Sequence, residues 1–596
     1  MRVADYITTF IENLGVKDIF MINGGGAMFL NDAAVQNKNI RCIFNHHEQA
    51  CSMGAFAYSK YLGNWGACYL TTGCGATNAI TGLLDAWQDN IPVMFVSGQV
   101  KRQDNMSHFG LTLRQYGVQE ANIIAIVQSL CKYSVTVMDP LKIRYHLEKA
   151  AYLGSHGRPG PVWLDIPLDV QGAQVDEKNL EGFLPSELKE DYKTTPHPDE
   201  LMVLQTLLKQ AKRPVIIAGH GIRLAHAIPA FRLFIEKYQI PFVGTYLATD
   251  YVPGDHPLFI GRTGLKGDRA GNFAMQNSDL ILSIGSRLGV TVIGYDPKQF
   301  AREASIAVVD IDPVEHQKKT LEIDLFINAD AREFLQSFKP QDLPDISEWR
   351  QRCLSWKERY PVCLPEYQHD TRGINLYHFM NELSGQLADD AVVASDAGSA
   401  VYVPAQGFKA KNNQRLILSG AQAELGFTIP ACIGISLATA CQVVGITGDG
   451  SLQTNIQELQ TIVEYKLPIK LFVWNNDGYL SVRSTQTRIF QGRLAGSDAT
   501  NGLSLPDTKK IADAYGIAFV KLEGGQDLGK RIKEVLQMPG PVICEVMCIR
   551  DQEIVPTVSS KKLDDGRMIS KPLEDLYPFL DREEFKQQMI VKPLDE

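Results

Sequence analysis

Short apolar runs recur along the whole chain and alternate with longer stretches in which apolar residues recur at helical spacing. Clear examples of the short runs are residues 16–22, 67–71, 214–219, 280–285, 306–311 and 443–446. Continuous runs of this kind are typical of parallel strands, because connecting helices bury both faces of the sheet. The pattern therefore predicts an α/β protein built of doubly wound parallel sheets.

Two polar, proline-bearing stretches, near 174–200 and 340–344, divide this pattern into separate units. With 596 residues the chain is too long for a single core. We expect an N-terminal domain over 1–173, a central domain over 196–340, a C-terminal domain over 370–555 and an arm over 556–596 that lies extended on another surface. The first and third domains are expected to share one plan.

Composition narrows the class of protein. The net charge of -9 and the absence of a Lys/Arg block argue against nucleic acid as a partner. No apolar run approaches the roughly 18 residues that a membrane span needs, and the N-terminus has no apolar signal region. The 11 cysteines are scattered without metal-type pairs, so we expect core thiols in a reducing compartment, the cytoplasm.

An Asp flanked by glycines, at 448–450, comes shortly after the apolar run at 443–446. Gly448 and Gly450 are expected to let the chain turn sharply, which leaves Asp449 at the tip of a strand. A helix is predicted over 452–465, so that the free N–H groups near Gly450 and Ser451 can face a phosphate. The carboxyl edge of a parallel sheet is where α/β proteins bind ligands, which favours a binding site over a plain surface turn.

The next apolar run, at 469–474, ends in a pair of asparagines. It is expected to bring Asn476 to the same sheet edge as Asp449. Mg²⁺ prefers an octahedron of oxygen ligands. The Asp449 carboxylate, the Asn476 amide oxygen, a backbone carbonyl near Gly478 and two phosphate oxygens would nearly complete this set. The sequence therefore predicts a site for a divalent metal and a diphosphate.

This combination resembles the diphosphate-binding motif of thiamine-diphosphate enzymes, and the resemblance extends over almost the whole chain. The most similar family is the acetolactate synthase-like group, whose N-terminal motifs occur here in the family order. They are Asn-His-His-Glu-Gln-Ala at 45–50, Thr-Thr-Gly-Cys-Gly-Ala-Thr-Asn at 71–78, Ser-Gly-Gln-Val at 97–100 and Gly-Arg-Pro-Gly-Pro-Val at 157–162. The resemblance implies thiamine diphosphate and Mg²⁺ as cofactors, with a 2-keto acid donor and a carbonyl acceptor as substrates.

Glu48 is the candidate catalytic acid. It follows an apolar run at 40–44 and opens a helix of small residues. The resemblance implies that its carboxyl group hydrogen-bonds a pyrimidine nitrogen of the coenzyme and helps the coenzyme to lose a proton. The residue types alone also allow Glu48 merely to favour the helix N-terminus by its charge. Gly24, Gly25 and Gln119 correspond to positions that line the reaction side, with Gln119 as a second catalytic candidate.

Leu425 and Gly398 are further positions that the resemblance assigns to the coenzyme. Leu425 corresponds to an apolar side chain that wedges beneath the bent coenzyme, and core packing is the alternative from the residue pattern alone. The Gln-His pair that follows Gly398 in the family is Ser399-Ala400 here, so the contacts of that pair are not expected. The resemblance also implies that the coenzyme lies between two subunits, in a dimer or a tetramer.

The central domain resembles the flavin-binding domain of acetolactate synthases. The matching positions are Gly219, Gly221, Thr245, Arg287, Asp310 and Asp330. The Asp-Asp-Arg that follows in the family is replaced by Gly-Val-Thr at 289–291, which removes charged partners for a dinucleotide. FAD is therefore one candidate ligand of this domain. The alternatives are another adenine nucleotide and a site that binds nothing.

One departure from the family bears on the substrate. Acetolactate synthases carry a Trp that helps to select the second keto acid, and Thr485 stands there in this chain, which predicts a wider and more polar acceptor side. We expect a carboligase that decarboxylates pyruvate or another 2-keto acid and passes the acyl unit to a carbonyl acceptor, with a keto sugar as one candidate. The alternatives are an acetolactate synthase of branched-chain amino-acid biosynthesis, a flavin-using pyruvate oxidase and a catalytically silent nucleotide-binding homologue.

Overall fold

Three six-stranded sheets form the centre of the protein. The computed structural model describes residues 1–188, 194–562 and 568–594. All strands within each of these three sheets pair in parallel, and helices cover the sheets. The expected α/β class with three doubly wound parallel sheets is confirmed. The part of the linker at 189–193 lies outside the described residues.

The first sheet is built from the N-terminal third of the chain. Strands β1 to β6 span Asp18–Met21, Arg41–Phe44, Gly66–Leu70, Val93–Gln99, Tyr133–Thr136 and Val162–Pro167. They pair in the order β2-β1-β3-β4-β6-β5. Helices α1 to α8 span Val3–Asn13, Met28–Gln36, Glu48–Leu62, Cys74–Asn78, Ile80–Gln88, Ile123–Val127, Ile143–Ser155 and Leu168–Gln171. Strands β3, β4 and β6 are buried along their whole length, because helices cover both faces.

The second sheet forms the central domain. Strands β7 to β12 span Pro214–Ala218, Phe242–Gly244, Phe259–Arg262, Leu280–Ile284, Ser305–Asp310 and Leu325–Asn328. Their order, β12-β11-β10-β7-β8-β9, is that of dinucleotide-binding folds, in which the ligand occupies the crevice where the order reverses, here between β7 and β10. Helices α9 to α15 span Pro198–Gln210, Gly221–Leu224, Ile228–Tyr238, Arg269–Gln276, Val290–Ile293, Ala331–Ser337 and Ser347–Arg359.

The third sheet repeats the plan of the first, as expected. Strands β13 to β18 span Val392–Ser395, Arg415–Leu418, Val443–Gly448, Lys470–Asn475, Ala518–Leu522 and Val542–Met547, and they pair in the order β14-β13-β15-β16-β18-β17. Helices α16 to α23 span Leu376–Gln386, Ser399–Gly407, Thr428–Ala438, Asp449–Leu452, Leu459–Glu464, Leu480–Phe490, Thr508–Tyr515 and Leu528–Gln537. Strand β15 lies beside β16, so the ends of both strands share one edge.

The single helix predicted over 452–465 is wrong. Helix α19 already begins at Asp449 and ends at Leu452, and a 3-10 segment separates it from α20. Asn455 interrupts this segment with a φ of -132°, and its side-chain amide donates to the carbonyl oxygen of Gly426 at 2.9 Å. A tertiary hydrogen bond therefore breaks a helix that the local pattern favours.

The C-terminal arm packs on the central domain and is not merely extended. It contains the strands β19 (Ser560–Lys562) and β20 (Met568–Ser570) and helix α24 (Arg582–Gln588), and residues 563–567 and 595–596 lie outside the described residues. Leu576 and Phe585 are buried in the core of the central domain, and Glu574 pairs with Arg302 at 2.7 Å. Among the described residues no helix combines the length and the apolar character that crossing a membrane needs.

Candidate active site

Asp449 is the first residue of α19 and directly follows β15. Its side chain is buried, and its carboxylate accepts hydrogen bonds from the backbone N–H groups of Gly450 (2.8 Å) and Gly478 (3.0 Å). Burial raises the pKa of Asp449 to about 6, although these backbone donors oppose the shift. No lysine or arginine of the described ranges forms an ion pair with Asp449, and a buried carboxylate of this kind is well suited to bind a divalent cation.

The two glycines beside Asp449 act differently from the expectation. Gly448 has an ordinary φ of -78°, and a Cβ built on it would meet no atom within 4 Å, so the turn does not require a glycine there. A Cβ on Gly450 would lie 2.3 Å from the Tyr479 ring. Gly450 is therefore needed for close packing and not for a sharp turn.

Asn476 directly follows β16 and is buried. Its Oδ1 atom is sealed from solvent and has no hydrogen-bond partner in the part of the chain that the structure describes. Gly478 has a φ of 114°, and a Cβ there would lie 2.1 Å from the carbonyl oxygen of Ser497. The loop thus combines an unpaired buried amide oxygen with the nearby Asp449 carboxylate, and this donor set fits Mg²⁺.

The protein supplies only part of a complete ligand set. Within the described ranges no group of three or more His, Cys, Asp or Glu side chains is placed to hold a metal. A cation at Asp449 would therefore need the amide oxygen, a backbone carbonyl and oxygens of a bound ligand, as the sequence predicts.

Arg483 on α21 holds the metal-side loop, and sequence reasoning did not single it out. Its buried guanidinium donates to the carbonyl oxygens of Asn476 (2.9 Å), Asp477 (3.0 Å) and Arg550 (2.6 Å). Its Nε atom donates to Asp551 at 2.7 Å. An arginine on a helix carries no local signal of such a role, because its acceptors come from two other loops.

Asp396 is a second buried carboxylate that sequence reasoning missed. It accepts hydrogen bonds from the hydroxyl groups of Thr447 (2.8 Å) and Ser451 (2.6 Å), and burial raises its pKa. Ser451 in turn accepts from the backbone N–H of Gly426 at 2.8 Å. The Ser451 hydroxyl is therefore used inside the protein. A signal existed, since Asp396 follows an apolar run just as Asp449 does.

Gly398 and Leu425 lie close to this edge of the sheet. Gly398 precedes α17 with a φ of 59°, and a Cβ there would lie 3.2 Å from the Ser481 hydroxyl oxygen. Leu425 is 39% exposed. The loop behind it is held because Gly426 has a φ of 82° and Asn455 donates to its carbonyl oxygen. Leu425 is a positioned, exposed apolar side chain, which does not fit the core-packing alternative.

Glu424, the neighbour of Leu425, forms a carboxyl pair with Asp85 from α5 of the first domain. The Ser419 hydroxyl also donates to Glu424. Burial raises the pKa of Glu424 to about 7 and raises that of Asp85 well above its ordinary value. The Ser419 hydroxyl is also within hydrogen-bond distance of Asp85 Oδ1 (3.4 Å), so the two carboxyl groups meet at one hydroxyl where the Leu425 loop contacts the first domain.

Glu48 is the first residue of α3, directly after the helix-capping His47. Its carboxylate is half-buried and accepts a hydrogen bond from the Asn78 side chain at 3.0 Å. A Cβ on Gly75 would come within 3.3 Å of the second carboxylate oxygen of Glu48. The glycine-rich turn after β3 therefore approaches this acid closely and leaves part of it accessible.

Gly24 and Gln119 border the same turn. A Cβ on Gly24 would lie 2.3 Å from Thr71 Oγ1, and one on Gly73 would lie 2.0 Å from the carbonyl oxygen of Gln119. Gln119 is exposed and has a φ of 60°. A Cβ on Gly25 would meet nothing within 4 Å, so packing does not require that glycine. The structure thus brings the first-domain candidates to one sheet edge.

Glu458 joins the first-domain edge to the third domain. Its buried carboxylate accepts from the backbone N–H groups of His46 (2.9 Å) and His47 (3.1 Å). This contact fixes the start of α3, and sequence reasoning missed it. Among the described residues no hydrogen bond joins Glu48 itself to the metal-side candidates of the same chain.

A cavity of about 470 Å³ occupies the crevice of the central sheet. Of the central candidates it is lined by Gly221, Thr245, Arg287, Asp310 and Asp330. Gly219 is not part of the lining, because it packs against the turn at Gly285. A Cβ on Gly219 would lie 2.1 Å from the carbonyl oxygen of Gly285. Asp330 also caps α14, and Asp310 lies 3.3 Å from His316.

His220 also lines this cavity, and sequence reasoning missed it. Both of its ring nitrogens are sealed from solvent and have no hydrogen-bond partner in the described part of the chain. Burial, together with nearby cations, lowers its pKa well below the ordinary value. A neutral imidazole with two unused nitrogens is suited to hydrogen-bond a ligand.

Fold and geometry together define an α/β protein with two candidate half-sites, one with oxygen atoms that suit a metal and the other with an accessible carboxyl group. Family models of the thiamine pyrophosphate enzymes match the N-terminal TPP-binding domain at 1–126, the central domain at 203–338 and the C-terminal TPP-binding domain at 396–546. The chain belongs to the thiamine pyrophosphate enzyme family, and it is a thiamine-diphosphate-dependent enzyme that forms or cleaves carbon–carbon bonds.

Its relatives include acetolactate synthase large subunits. The one from Lactococcus lactis is 32% identical over 92% of this chain and 92% of the relative. That of Corynebacterium glutamicum is 30% identical over 98% of this chain and 92% of its own length. The isozyme 2 large subunit of Escherichia coli is 30% identical over 94% of this chain and 97% of its own length. The resemblance to the acetolactate synthase-like group is therefore confirmed.

Proposed function

We propose that the protein is a carboligase that uses thiamine diphosphate and Mg²⁺ to decarboxylate pyruvate or another 2-keto acid and to transfer the acyl unit to a carbonyl acceptor. The observation that carries the proposal is the unpaired amide oxygen of Asn476 beside the buried Asp449 carboxylate. When bound, thiamine diphosphate would supply a nucleophilic carbon and an electron sink for decarboxylation of the keto acid.

The metal-side loop would hold the diphosphate end through Mg²⁺. The metal ligands from this chain would be Asp449, Asn476 and the backbone carbonyl of Gly478. The backbone N–H of Gly398 lies close to the same edge, where it would face a phosphate oxygen. The N–H of Gly450 instead donates to Asp449, so Gly450 would adjoin the diphosphate without donating to it. Arg483 keeps the loop carbonyls oriented, since it donates to the two that precede Gly478.

The first-domain edge would activate the other end of the coenzyme. Glu48 would exchange a proton with a pyrimidine nitrogen, and Asn78 keeps its carboxylate in one orientation. Gln119 and Gly24 would lie on the side from which the keto acid approaches. Leu425 would support the bent coenzyme from below.

We propose further that two chains complete each site, in a dimer or a tetramer. Glu48 bonds within its own domain, whereas Leu425 and Val118, which adjoin the two half-sites, are 39% and 83% exposed. Large apolar side chains that are exposed beside a site favour coverage by another surface. All 11 cysteines are free thiols, which supports a place in the reducing cytoplasm.

Glu48→Gln tests the proposal. We expect decarboxylation of pyruvate to fall by about 10²–10⁴, the usual loss for a removed acid–base group. Titration calorimetry should still detect binding of thiamine diphosphate in the presence of Mg²⁺. Glu177→Gln, an exposed glutamate of the same domain, is the control and should keep full activity. Full activity of Glu48→Gln would refute the assigned role.

Acetolactate synthase is the second candidate, and the names of the relatives favour it. Thr485 argues against it, because its exposed side chain only donates back to the carbonyl oxygen of Ser481 at 2.9 Å and offers no aromatic surface to a small keto acid. Complementation of a strain that lacks acetolactate synthase decides between the two. We expect weak growth, and vigorous growth would favour the second candidate.

We also propose that the central cavity binds an adenine nucleotide, with FAD as the first candidate. The cavity volume of about 470 Å³, the strand order and the two unused nitrogens of His220 support this. The visible absorbance of the purified protein and chromatography of the ligand released by acid identify the nucleotide. Oxygen uptake during pyruvate turnover would indicate a pyruvate oxidase.

A further inference from the structure

Lys266, in the turn between β9 and α12, is a partly buried lysine that lacks an acidic partner. Its ammonium group donates to the carbonyl oxygen of Ile554 at 3.3 Å and lies 5.4 Å from the centre of the Tyr402 ring. Asp268, a nearby acid in the sequence, is instead bonded to Arg262 at 3.3 Å. Burial lowers the pKa of Lys266 to about 8. Among the described residues no carboxylate therefore forms an ion pair with this lysine.

Arg488 on α21 is a second cation within electrostatic range of Lys266, and its charge lowers the pKa of that lysine further. In the described ranges neither cation has a carboxylate within ion-pair distance. Two positive groups within electrostatic range repel each other, and the repulsion is larger where one of them is withdrawn from water. A bound anion would relieve it.

Both cations lie near the coenzyme edge of the third domain. Tyr402, beneath Lys266, is one turn of α17 after Gly398 and donates its N–H to the carbonyl oxygen of that glycine. Ser481 adjoins Gly398 and begins the stretch of α21 that leads to Arg488. At about 1.5 Å per residue, the path from 481 to 488 places Arg488 roughly 10 Å along the helix from this edge.

We propose that Lys266 and Arg488 form a binding site for a phosphate group of the carbonyl acceptor, a group that lies far from the reacting carbonyl within the same molecule. The inference rests on the carboligase function proposed above and narrows its substrate class. A short 2-keto acid carries its carboxylate directly beside the carbonyl and cannot span the distance. A keto sugar that carries a terminal phosphate or a nucleoside diphosphate can span it.

Acceptor kinetics with matched compounds test the site. The acceptors are a neutral ketose, its terminal phosphate ester and a nucleoside-diphosphate-linked keto sugar, each with labelled pyruvate as donor. For Lys266→Met and for Arg488→Met we expect KM for the phosphorylated acceptors to rise about 10-fold or more, as for the loss of a charge-assisted hydrogen bond. KM for the neutral ketose should not change. The phosphorylated acceptor with the lower KM shows whether the phosphate belongs to a terminal ester or to a nucleoside diphosphate.

Lys357→Met is the matched control. Lys357 is also a buried lysine whose pKa burial lowers to about 8, but its ammonium group donates to the carbonyl oxygens of Gly254 (3.1 Å) and His256 (3.0 Å). Its loss should leave the KM for both kinds of acceptor unchanged.

A pH series gives a second readout. KM for the phosphorylated acceptor should rise in the wild-type protein as the pH passes about 8, because Lys266 then loses its proton. The groups that face Lys266 are the Arg488 guanidinium and the rings of Tyr402 and Tyr246. Burial raises the pKa of both tyrosines, and a guanidinium is charged at every pH of the series, so none of them changes charge in this range. Lys266→Arg should keep the low KM and remove the pH dependence.

If Lys266→Met and Arg488→Met change the KM of neutral and phosphorylated acceptors equally, or change neither, the proposed phosphate site is wrong. Release of CO₂ from pyruvate without any acceptor is measured separately. If the wild-type protein fails in that donor reaction, the proposed function is wrong, and that failure is thereby distinguished from failure of the phosphate site.

Discussion

Arg483→Met removes the support of the metal-side loop without touching a candidate metal ligand. The guanidinium of Arg483 donates to the backbone carbonyls of Asn476, Asp477 and Arg550 and to the Asp551 carboxylate. Methionine has a similar length and suits a buried position, so the change removes the hydrogen bonds more than the volume.

The size of the effect follows from these contacts. A hydrogen bond from a charged donor contributes about 1.5–3 kcal/mol, and a carbonyl left buried without a donor costs about 1–3 kcal/mol. Two of the carbonyls that lose a donor precede Gly478 in the metal-side loop. Desolvation of the guanidinium in the native protein offsets part of this sum. If the lost hydrogen bonds destabilise the ordered loop by about 1.5–3 kcal/mol, the Mg²⁺ affinity drops about 10- to 100-fold.

Titration calorimetry of Mg²⁺ in the presence of thiamine diphosphate measures this affinity, and differential scanning calorimetry of the metal-free protein reports the change in global stability. Lys509→Gln is the control. The Lys509 side chain is 60% exposed and pairs with the exposed Asp513 at 2.6 Å, and an exposed pair contributes only about 0–1 kcal/mol. A wild-type Mg²⁺ affinity in Arg483→Met, or an equal loss in Lys509→Gln, would show that Arg483 does not order the loop.

Two further predictions concern other parts of the site. Burial raises the folded-state pKa of Glu424 to about 7, so its contribution to stability is present at low pH and is lost as the pH rises through about 7. Glu424→Gln should flatten the fall of the melting temperature between pH 5 and 8, and an unchanged slope would contradict the raised pKa. Gly24→Ala should reduce the free energy of unfolding by about 1–3 kcal/mol, because the new Cβ overlaps Thr71. Gly25→Ala should be nearly neutral, because a Cβ there meets nothing within 4 Å. Equal melting temperatures for the two variants would contradict the steric overlap at Gly24.

Much of the architecture was already present in the order of apolar and polar residues. Continuous apolar runs such as 443–446 become parallel strands because they can be buried on both faces, and this requirement does not depend on which helix covers them. The meeting of Asp449 and Asn476 follows from the same rule, since parallel neighbouring strands end at one edge. The resemblance to thiamine-diphosphate enzymes added Glu48, which residue spacing alone left ambiguous.

Other features were decided only when distant parts of the chain came together. Local periodicity favours one helix over 452–465, but Asn455 breaks it because a carbonyl from another loop takes its side-chain hydrogen bond. Arg483 and Glu424 look like ordinary surface charges in the sequence, and each acquires its role from partners dozens to hundreds of residues away. Repeating patterns of apolar and polar residues determine which faces are buried. Individual hydrogen bonds and pKa shifts depend on which loops meet, and only the packing of the three domains determines that.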